Sequence, residues 1–418
     1  MPGLVEVIAP SRLGGGFRWL LGSSWATNLG DGLALAAAPL LVASVSRDPL
    51  IISPAALLQR LPWLLFGLVA GVLADRVDRR LIVVTVNAIR AAALAGLAVA
   101  IVGDRVGVIV VLAALFALAT AEVFVDTSAS ALLPMMVQSD DLGIANARLI
   151  FGAVSLNQLA GPALGAFLFT VGTAVPFAAQ AMIMTVGALF ALRVSLPKPI
   201  GAEAVDAQSR PAGGLDRARQ DIAEGIHWLR HHPAVRTLAL IILAFNITFG
   251  IALSLLVLLA IERLGLGEIG FGLLTSAAAA GGIVGTMIYG VAERAIGVVA
   301  IMRIGLTIET LTHLVLATTT TAWVALATFF IAGIHVSMWG TTSTSIRQRA
   351  VPLALQGRVG SVYMLGAHSG HAIGAILGGA IAAIAGLTAA YWFSFAATAA
   401  ILALIWPSLT NIAATADT

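Results

Sequence analysis

Four acidic side chains and two arginines lie inside long apolar stretches of the sequence, where a charged side chain is costly and usually serves a function. They are Asp31, Glu122, Asp126, Glu309, Arg60 and Arg90. A carboxyl group in apolar surroundings favours its neutral, protonated form, and a guanidinium group binds anions. The chemistry open to this set is therefore proton binding, attraction of a charged ligand, or mutual ion pairing.

Asp31 lies near the middle of the first apolar stretch, with Asn28 one turn earlier on the same helical face. This placement suits a proton-coupling site. Two structural interpretations remain open: an ion pair with Arg60 or Arg90, and a capping role beside the neighbouring glycines.

Glu122 and Asp126 are four residues apart and so share one face of a helix. They could relay protons, attract a cationic substrate, or pair with Arg90. Static pairing and functional work are equally compatible with the spacing. A misplaced boundary of the apolar stretch is a third explanation.

The histidines form two further candidate sets. Glu309 and His313 are also four apart, and a local hydrogen bond between them is the first expectation, ahead of a role in transport. His368 and His371, with Trp339, could line a cavity in the second half of the chain. Histidine titrates near neutrality, which suits proton movement, although a hydrogen-bonded structural role is the alternative.

The composition excludes a water-soluble core. The chain has 418 residues, of which 59% are hydrophobic and 10% charged, and a mean hydropathy of +1.00. Its basic residues are dispersed and the net charge is only +3, so we expect no nucleic-acid partner. The chain contains no cysteine, which excludes disulfides and thiolate metal sites, and we predict neither a metal nor a cofactor.

Apolar runs long enough to cross a bilayer occur twelve times, six before and six after a polar central stretch. They cover roughly 17–44, 51–74, 81–102, 107–133, 149–172, 174–194, 237–260, 269–293, 297–317, 321–345, 359–385 and 388–408. The predicted fold is an all-α integral membrane protein of twelve transmembrane helices.

The positions of the basic residues test this count independently. With the N-terminus inside, 18 of the 23 basic residues fall on the cytoplasmic side, three fall on the opposite side, and two lie within spans. This bias predicts a multi-pass protein of the inner (plasma) membrane with both termini in the cytoplasm. The apolar run that begins near Phe17 is too long for a cleaved signal and is predicted to be a signal-anchor.

The two halves of the chain resemble each other. Gly161 and Gly165 recur about half a chain later as Gly374 and Gly378, each pair within a span that an arginine precedes. We predict two pseudo-symmetric six-helix halves, 1–194 and 237–418, around a central cavity. The linker, 195–236, is predicted to be cytoplasmic and to carry a short amphipathic helix on the membrane surface.

A loop sequence after the second span, Gly71-Val-Leu-Ala-Asp-Arg-Val-Asp-Arg-Arg-Leu81, resembles the G-x-L-a-D-r-x-g-r-k motif of the major facilitator superfamily. Asp78 stands where the second glycine of the motif usually lies. Further stretches, such as Asn28-Leu-Gly-Asp-Gly32 and Arg60 to Gly67, resemble the drug/siderophore-exporter branch common in actinobacteria. The resemblance extends over essentially the whole chain.

The resemblance implies roles for the loop and for the fifth span. Five residues of the loop would form a cytoplasmic gating latch: Gly71, Asp75, Arg76, Arg79 and Arg80. Simple anchoring by positive charge is the alternative. The fifth span partly matches the exporters' G-P-x-x-G-G motif, through Gly161, Pro162 and Gly165, where Pro162 can kink the helix and the glycines permit close packing.

The expected function is secondary active transport by alternating access: proton-coupled efflux of a small amphipathic or lipophilic compound, such as a drug, siderophore or secondary metabolite. Proton-coupled uptake of a nutrient or metabolite is the alternative. No nucleotide-binding P-loop is present, because the only lysine is Lys198 in Pro-Lys-Pro, and no catalytic pattern suggests an enzyme. A sensor or assembly partner ranks lowest. The sequence does not define the substrate or the oligomeric state.

Overall fold

A computed structural model describes residues 10–138, 141–195, 215–352 and 355–410, and the long elements in these ranges are all helices. The helices are α1 (Gly14–Val45), α2 (Pro49–Arg76), α3 (Arg79–Val102), α4 (Val108–Leu132), α5 (Leu142–Val171), α6 (Val175–Leu192), α7 (Leu215–His231), α8 (Pro233–Ser254), α9 (Glu268–Thr318), α10 (Ala322–Ala350), α11 (Gln356–Ala385) and α12 (Leu387–Ile405). Eleven of them, all except α7, are long and apolar enough to cross a membrane. The prediction of an all-α membrane fold is confirmed.

Helix α9 contains two of the twelve predicted spans. It runs for 51 residues and is interrupted at Gly297, whose φ of 75° and ψ of 165° are not helical. An L side chain rarely adopts this backbone conformation, so glycine is the residue that allows the break. The eighth and ninth predicted spans therefore meet at a single residue, without a loop between them.

Helix contacts divide the chain into two compact units. The first comprises Met1–Ala38 and Leu65–Ala218, and the second comprises Pro39–Leu64 and Arg219–Thr418. Helix α3 packs against α4 and α6 in the first unit, and α9 packs against α10 and α12 in the second. The division into 1–194, 195–236 and 237–418, which follows the repeat in the sequence, stays a prediction.

Each unit contains a close helix crossing that depends on a glycine of the predicted repeat. In the first unit, a Cβ atom on Gly161 or Gly165 of α5 would overlap the backbone of Gly32 and Leu33 in α1. In the second unit, a Cβ atom on Gly374 of α11 would overlap the backbone of α8. The glycine pairs that suggested a repeat in the sequence thus make equivalent contacts, span five on span one and span eleven on span seven. Such contacts let two backbones approach closely in lipid.

Large apolar side chains on the outer faces of the helices are strongly exposed, for example Ile109 at 83% and Ile384 at 88%. In water, so many exposed apolar side chains would drive aggregation. In a bilayer the lipid tails solvate them. The exposed apolar surface and the eleven long helices agree in describing a multi-pass membrane protein.

The amphipathic helix predicted in the linker is present as α7. Trp228 and Leu229 pack against a small buried core of Val235 at the start of α8, Val351 just after α10 and Val359 at the start of α11. The apolar face of α7 is thus partly covered by protein. Its predicted position along the membrane surface stays a prediction.

Candidate functional site

A buried ion pair between α1 and α3 forms the centre of the first unit. The Nη2 of Arg90 lies against the Oδ1 of Asp31, and Arg90 leaves only 2% of its side chain exposed while Asp31 leaves 12%. Asn87, one turn earlier on α3, places its Oδ1 3.5 Å from Nη1 of Arg90. The sequence left open an ion pair of Asp31 with Arg60 or with Arg90. In the structure Asp31 pairs with Arg90.

Two further acids lie within electrostatic range of this pair. Glu122 and Asp126, on α4, both interact electrostatically with the guanidinium group of Arg90. Asp31 and Glu122 are partly buried, whereas the side chain of Asp126 is exposed. Three carboxyl groups therefore lie within electrostatic range of one guanidinium group in the first unit.

Some polar atoms near the pair remain without a protein partner within the described ranges. They are the Nδ2 of Asn87, the Nε of Arg90 and the Oγ of Ser128. A buried donor without a partner costs about 1–3 kcal/mol, so such atoms mark a place where a polar ligand gains hydrogen bonds. The sequence pointed to Arg90 alone among these three residues.

Asn28 takes no direct part in the ion pair. Its Nδ2 donates to the backbone oxygen of Ser24 at 2.8 Å and lies 3.3 Å from the Oγ of the same residue, one turn earlier on α1. Asn28 and Asp31 lie one turn apart on α1, as expected, but this spacing does not bring Asn28 into the ion pair. The hydrogen bonds of the Asn28 amide stay within α1.

The fifth span packs against α1 next to Asp31. Residues Ala153–Ala160 of α5 form a π-helical stretch that ends immediately before Gly161 and Pro162. Such stretches are frequent at functional sites. Gly161 and Gly165 lie against the backbone of Gly32 and Leu33, so the motif that resembles an exporter signature packs against the two residues that follow Asp31.

The loop between α2 and α3 is built around Asp78. Its carboxylate accepts the backbone N–H groups of Arg80 at 2.9 Å and of Leu81 at 3.4 Å, which caps α3. The φ of Asp78 is −55°, so the position does not need the glycine that the superfamily motif usually carries. The aspartate that stands in place of the motif's glycine therefore caps α3.

The arginines of the loop bind helix ends. Arg79 donates to the backbone oxygen of Ala74 on α2 at 2.9 Å, and it also contacts Ala131 in the last turn of α4 and Met135 just after that helix. Arg80 donates to the backbone oxygen of Leu192 at the end of α6. Cations at helix C-termini satisfy unpaired carbonyl groups and the negative end of the helix dipole.

The other three residues of the predicted latch differ from Arg79 and Arg80. Arg76 is exposed, and Gly71 is partly buried with open space where a Cβ would lie. Asp75 lies on the last turn of α2, and its side chain is outside the part that the structure describes.

The remaining candidates lie in the second unit. Arg60 of α2 acts electrostatically on His368 and His371 of α11. Trp63 lies nearly parallel to the His368 ring, with 6.4 Å between centroids, and the Nδ1 of His371 is 3.0 Å from the backbone oxygen of Ala367. Arg60 and the two histidines thus form a second polar cluster.

A third cluster contains one residue that sequence reasoning missed. Glu309 and His313 of α9 are joined by His335 of α10, and the two imidazole Nε2 atoms each lie 3.6 Å from a carboxylate oxygen of Glu309. All three side chains are buried. His335 is a histidine within an apolar run of the sequence, and this alone could have marked it as a candidate. Glu309 and His313 do not form the short local hydrogen bond that was the first expectation.

A groove of about 580 Å³ lies between the second part of α9 and the end of α12. It is lined by Ile296, Val299, Ala300, Arg303, Ile304, Thr307, Ile308 and Trp406. This lining includes none of the predicted coupling residues. Across the described ranges, no cluster of histidine and acidic side chains has the geometry to hold a metal ion.

Solved structures with the same fold are transporters. The chain resembles the nucleoside transporter NupG, with a TM-score of 0.75 and 10% identity over 94% of this chain and 99% of that one. It also resembles a bacterial homologue of the iron transporter ferroportin, with a TM-score of 0.70 and 17% identity over 94% and 98%. A peptide transporter, POT, gives a TM-score of 0.70 at 16% identity over 95% of both chains. These likenesses show the fold alone.

Comparison with curated protein sequences gives no significant match. The family described as transmembrane secretion effector matches residues 7–416, almost the whole chain. The matching family and the similar solved structures are those of transporters, not of enzymes. The chain is a member of the transmembrane secretion effector family of the major facilitator superfamily, and hence a secondary transporter.

Proposed function

We propose that this transporter exports a small amphipathic or lipophilic compound in exchange for protons, with Asp31, Arg90, Glu122 and Asp126 as its coupling site. The family's description as a secretion effector supports the outward direction. The sequence resemblance to the drug/siderophore-exporter branch supports the substrate class.

The observation that carries the proposal is the position of Asp126 within electrostatic range of the buried Asp31–Arg90 pair. Arg90 can neutralise one carboxylate at a time, and it already pairs with Asp31. A carboxylate at bilayer depth is costly when its charge is not balanced. The cluster lowers this cost by binding a proton or a cationic substrate, and the competition between the two is what antiport requires.

In this proposal protons enter through Asp126, whose side chain is exposed, and pass to Asp31, which is only 12% exposed in its pair with Arg90. When Asp31 takes up a proton, Arg90 loses its ionic partner and turns toward the acids of α4. A change in helix packing that follows this exchange would link proton binding to alternating access.

The proposed location is the inner (plasma) membrane, with both termini in the cytoplasm. The supporting observation is the bias of basic residues toward the predicted cytoplasmic loops. In this orientation Arg79 and Arg80 bind helix ends at the cytoplasmic face, where a latch would act.

The test uses purified protein in liposomes with an imposed pH gradient and a panel of lipophilic cations and siderophore-like compounds. Asp31→Asn and Asp126→Asn are compared with the parent. Asp104→Asn is the matched control, because Asp104 is an exposed loop acid with φ +53°, a conformation that asparagine also tolerates. We expect gradient-driven movement in the parent and the control and loss of at least tenfold in Asp31→Asn.

The alternative outcomes have separate meanings. Movement that follows the proton gradient inward would replace export with uptake by symport. Movement that survives both Asp31→Asn and Asp126→Asn would reject the coupling site. Equal movement with and without a gradient would reject proton coupling.

A further inference from the structure

We infer that Glu309, His313 and His335 form a second, separate proton-binding site that holds one exchangeable proton between α9 and α10. The three side chains are at least nine-tenths buried, with 4%, 1% and 5% exposed. Each imidazole Nε2 lies 3.6 Å from a different oxygen of the same carboxylate.

The charge balance of this cluster requires a proton. The ion-pair partners that the described part of the chain gives Glu309 are the two imidazoles, and an imidazole is a counter-ion only when protonated. Without an added proton the site contains one buried, uncompensated negative charge. With one proton, held on either imidazole or on the carboxyl group, the site is neutral.

The hydrogen bonding of the cluster is incomplete. The Nδ1 and Nε2 of His313 and the Nδ1 of His335 have no hydrogen-bond partner within the described ranges. Two structural imidazoles fixed by the backbone would show short bonds, as His371 does to Ala367. At 3.6 Å, slightly beyond hydrogen-bond length, neither imidazole is fixed to the carboxylate by a short bond, so each of the three groups remains available to hold the added proton.

The neighbouring helices carry few other charged groups. Helix α12 contains no Asp, Glu, His, Lys or Arg residue, α8 carries only Arg236 in its first turn, and the arginines of α10 lie in its last turn. On α9, Arg303 donates to Thr410 beyond α12. Arg263 binds the carbonyl groups at the end of α9, and His371 of α11 acts electrostatically on Glu309.

Proton counting tests the inference without substrate or gradient, so its failure is independent of the transport assay. Purified parent protein and Glu309→Gln are titrated in weakly buffered detergent solution from pH 5 to pH 10. We expect the parent to release about one more proton per chain, because the neutral glutamine leaves no charge for a proton to balance. His232→Gln, at an exposed histidine just before α8, is the matched control, since it also removes one titratable side chain but lies outside the cluster.

Folding is controlled by size-exclusion chromatography and melting of each variant. If Glu309→Gln does not fold, Glu309→Met supplies an uncharged side chain of similar volume, with the same expected loss of one proton. Equal proton counts for the parent and a folded, uncharged variant would overturn the inference.

Discussion

Arg358, in the first turn of α11, binds Asp221 of α7 through its Nε at 2.7 Å. Its Nη1 binds Glu224 of the same helix, also at 2.7 Å. Gly225 lies against the backbone of Arg358, where a Cβ atom would come within 2.7 Å of the carbonyl oxygen. The linker helix α7 is thus tied to the start of α11 by charge and by close packing.

The first prediction concerns this attachment. The three side chains are 34–50% exposed, so solvent and salt weaken the pairs. A double-mutant cycle of Arg358→Gln with Asp221→Asn should give a coupling energy of about 0.5–1 kcal/mol. Thermal unfolding in detergent at low and high salt measures it, with Arg230→Gln on the exposed face of α7 as the control. A coupling that high salt leaves unchanged would contradict the ionic origin.

The second prediction concerns the buried pair. Arg90→Leu leaves the Asp31 carboxylate without its partner, at a cost of about 3–5 kcal/mol, whereas replacing both partners with leucine should recover most of that loss. Melting of the single and double variants measures the difference. Transport should be lost in both, which separates coupling from stability. If the double variant is no more stable than Arg90→Leu, the pair is not the source of the cost.

The third prediction concerns the crossing of α1 and α5. In Gly165→Ala, the new methyl group would overlap the backbone of Leu33, which cannot rotate away, so we expect a loss of about 1–3 kcal/mol. Gly143→Ala is the matched control, since Gly143 is exposed on the same helix with open space around it. It should be neutral or raise stability by up to about 1 kcal/mol. Equal melting temperatures for the two variants would refute the close crossing.

The sequence predicted the helices, and the residues that share a helix face, better than it predicted which side chains meet across two helices. Apolar length and charge bias gave the spans, and Asp31 and Arg90 were recognisable because charge is rare at bilayer depth. Helical periodicity shows which residues share a face, but it does not show which face of another helix they meet. His335 was missed for this reason, because its contact with Glu309 depends on how α10 packs against α9. The sequence placed the boundary between the eighth and ninth spans near Gly297, but it did not show that the two helices join there without a loop, since a single glycine resembles the many that only assist packing.

The fourth prediction concerns orientation. The chain has no cysteine, so single cysteines can be introduced without a background. In whole cells, a membrane-impermeant thiol reagent should label Arg105→Cys, in the exposed loop before α4, and should leave Arg230→Cys on α7 unlabelled until the cells are opened. Both positions carry the same substitution at an exposed arginine. The reverse pattern would place the termini outside.

The fifth prediction concerns the helix cap at Asp78. The carboxylate of Asp78 accepts two N–H groups of α3, so Asp78→Ala should cost about 1 kcal/mol. Asp78→Gly, which restores the usual residue of the superfamily motif, should cost only a few tenths of a kcal/mol, about the value found for glycine at other caps. Melting temperatures of the three proteins give the order parent, glycine, alanine. If alanine equals the parent, the aspartate does not act as a cap, and the motif tolerates it for another reason.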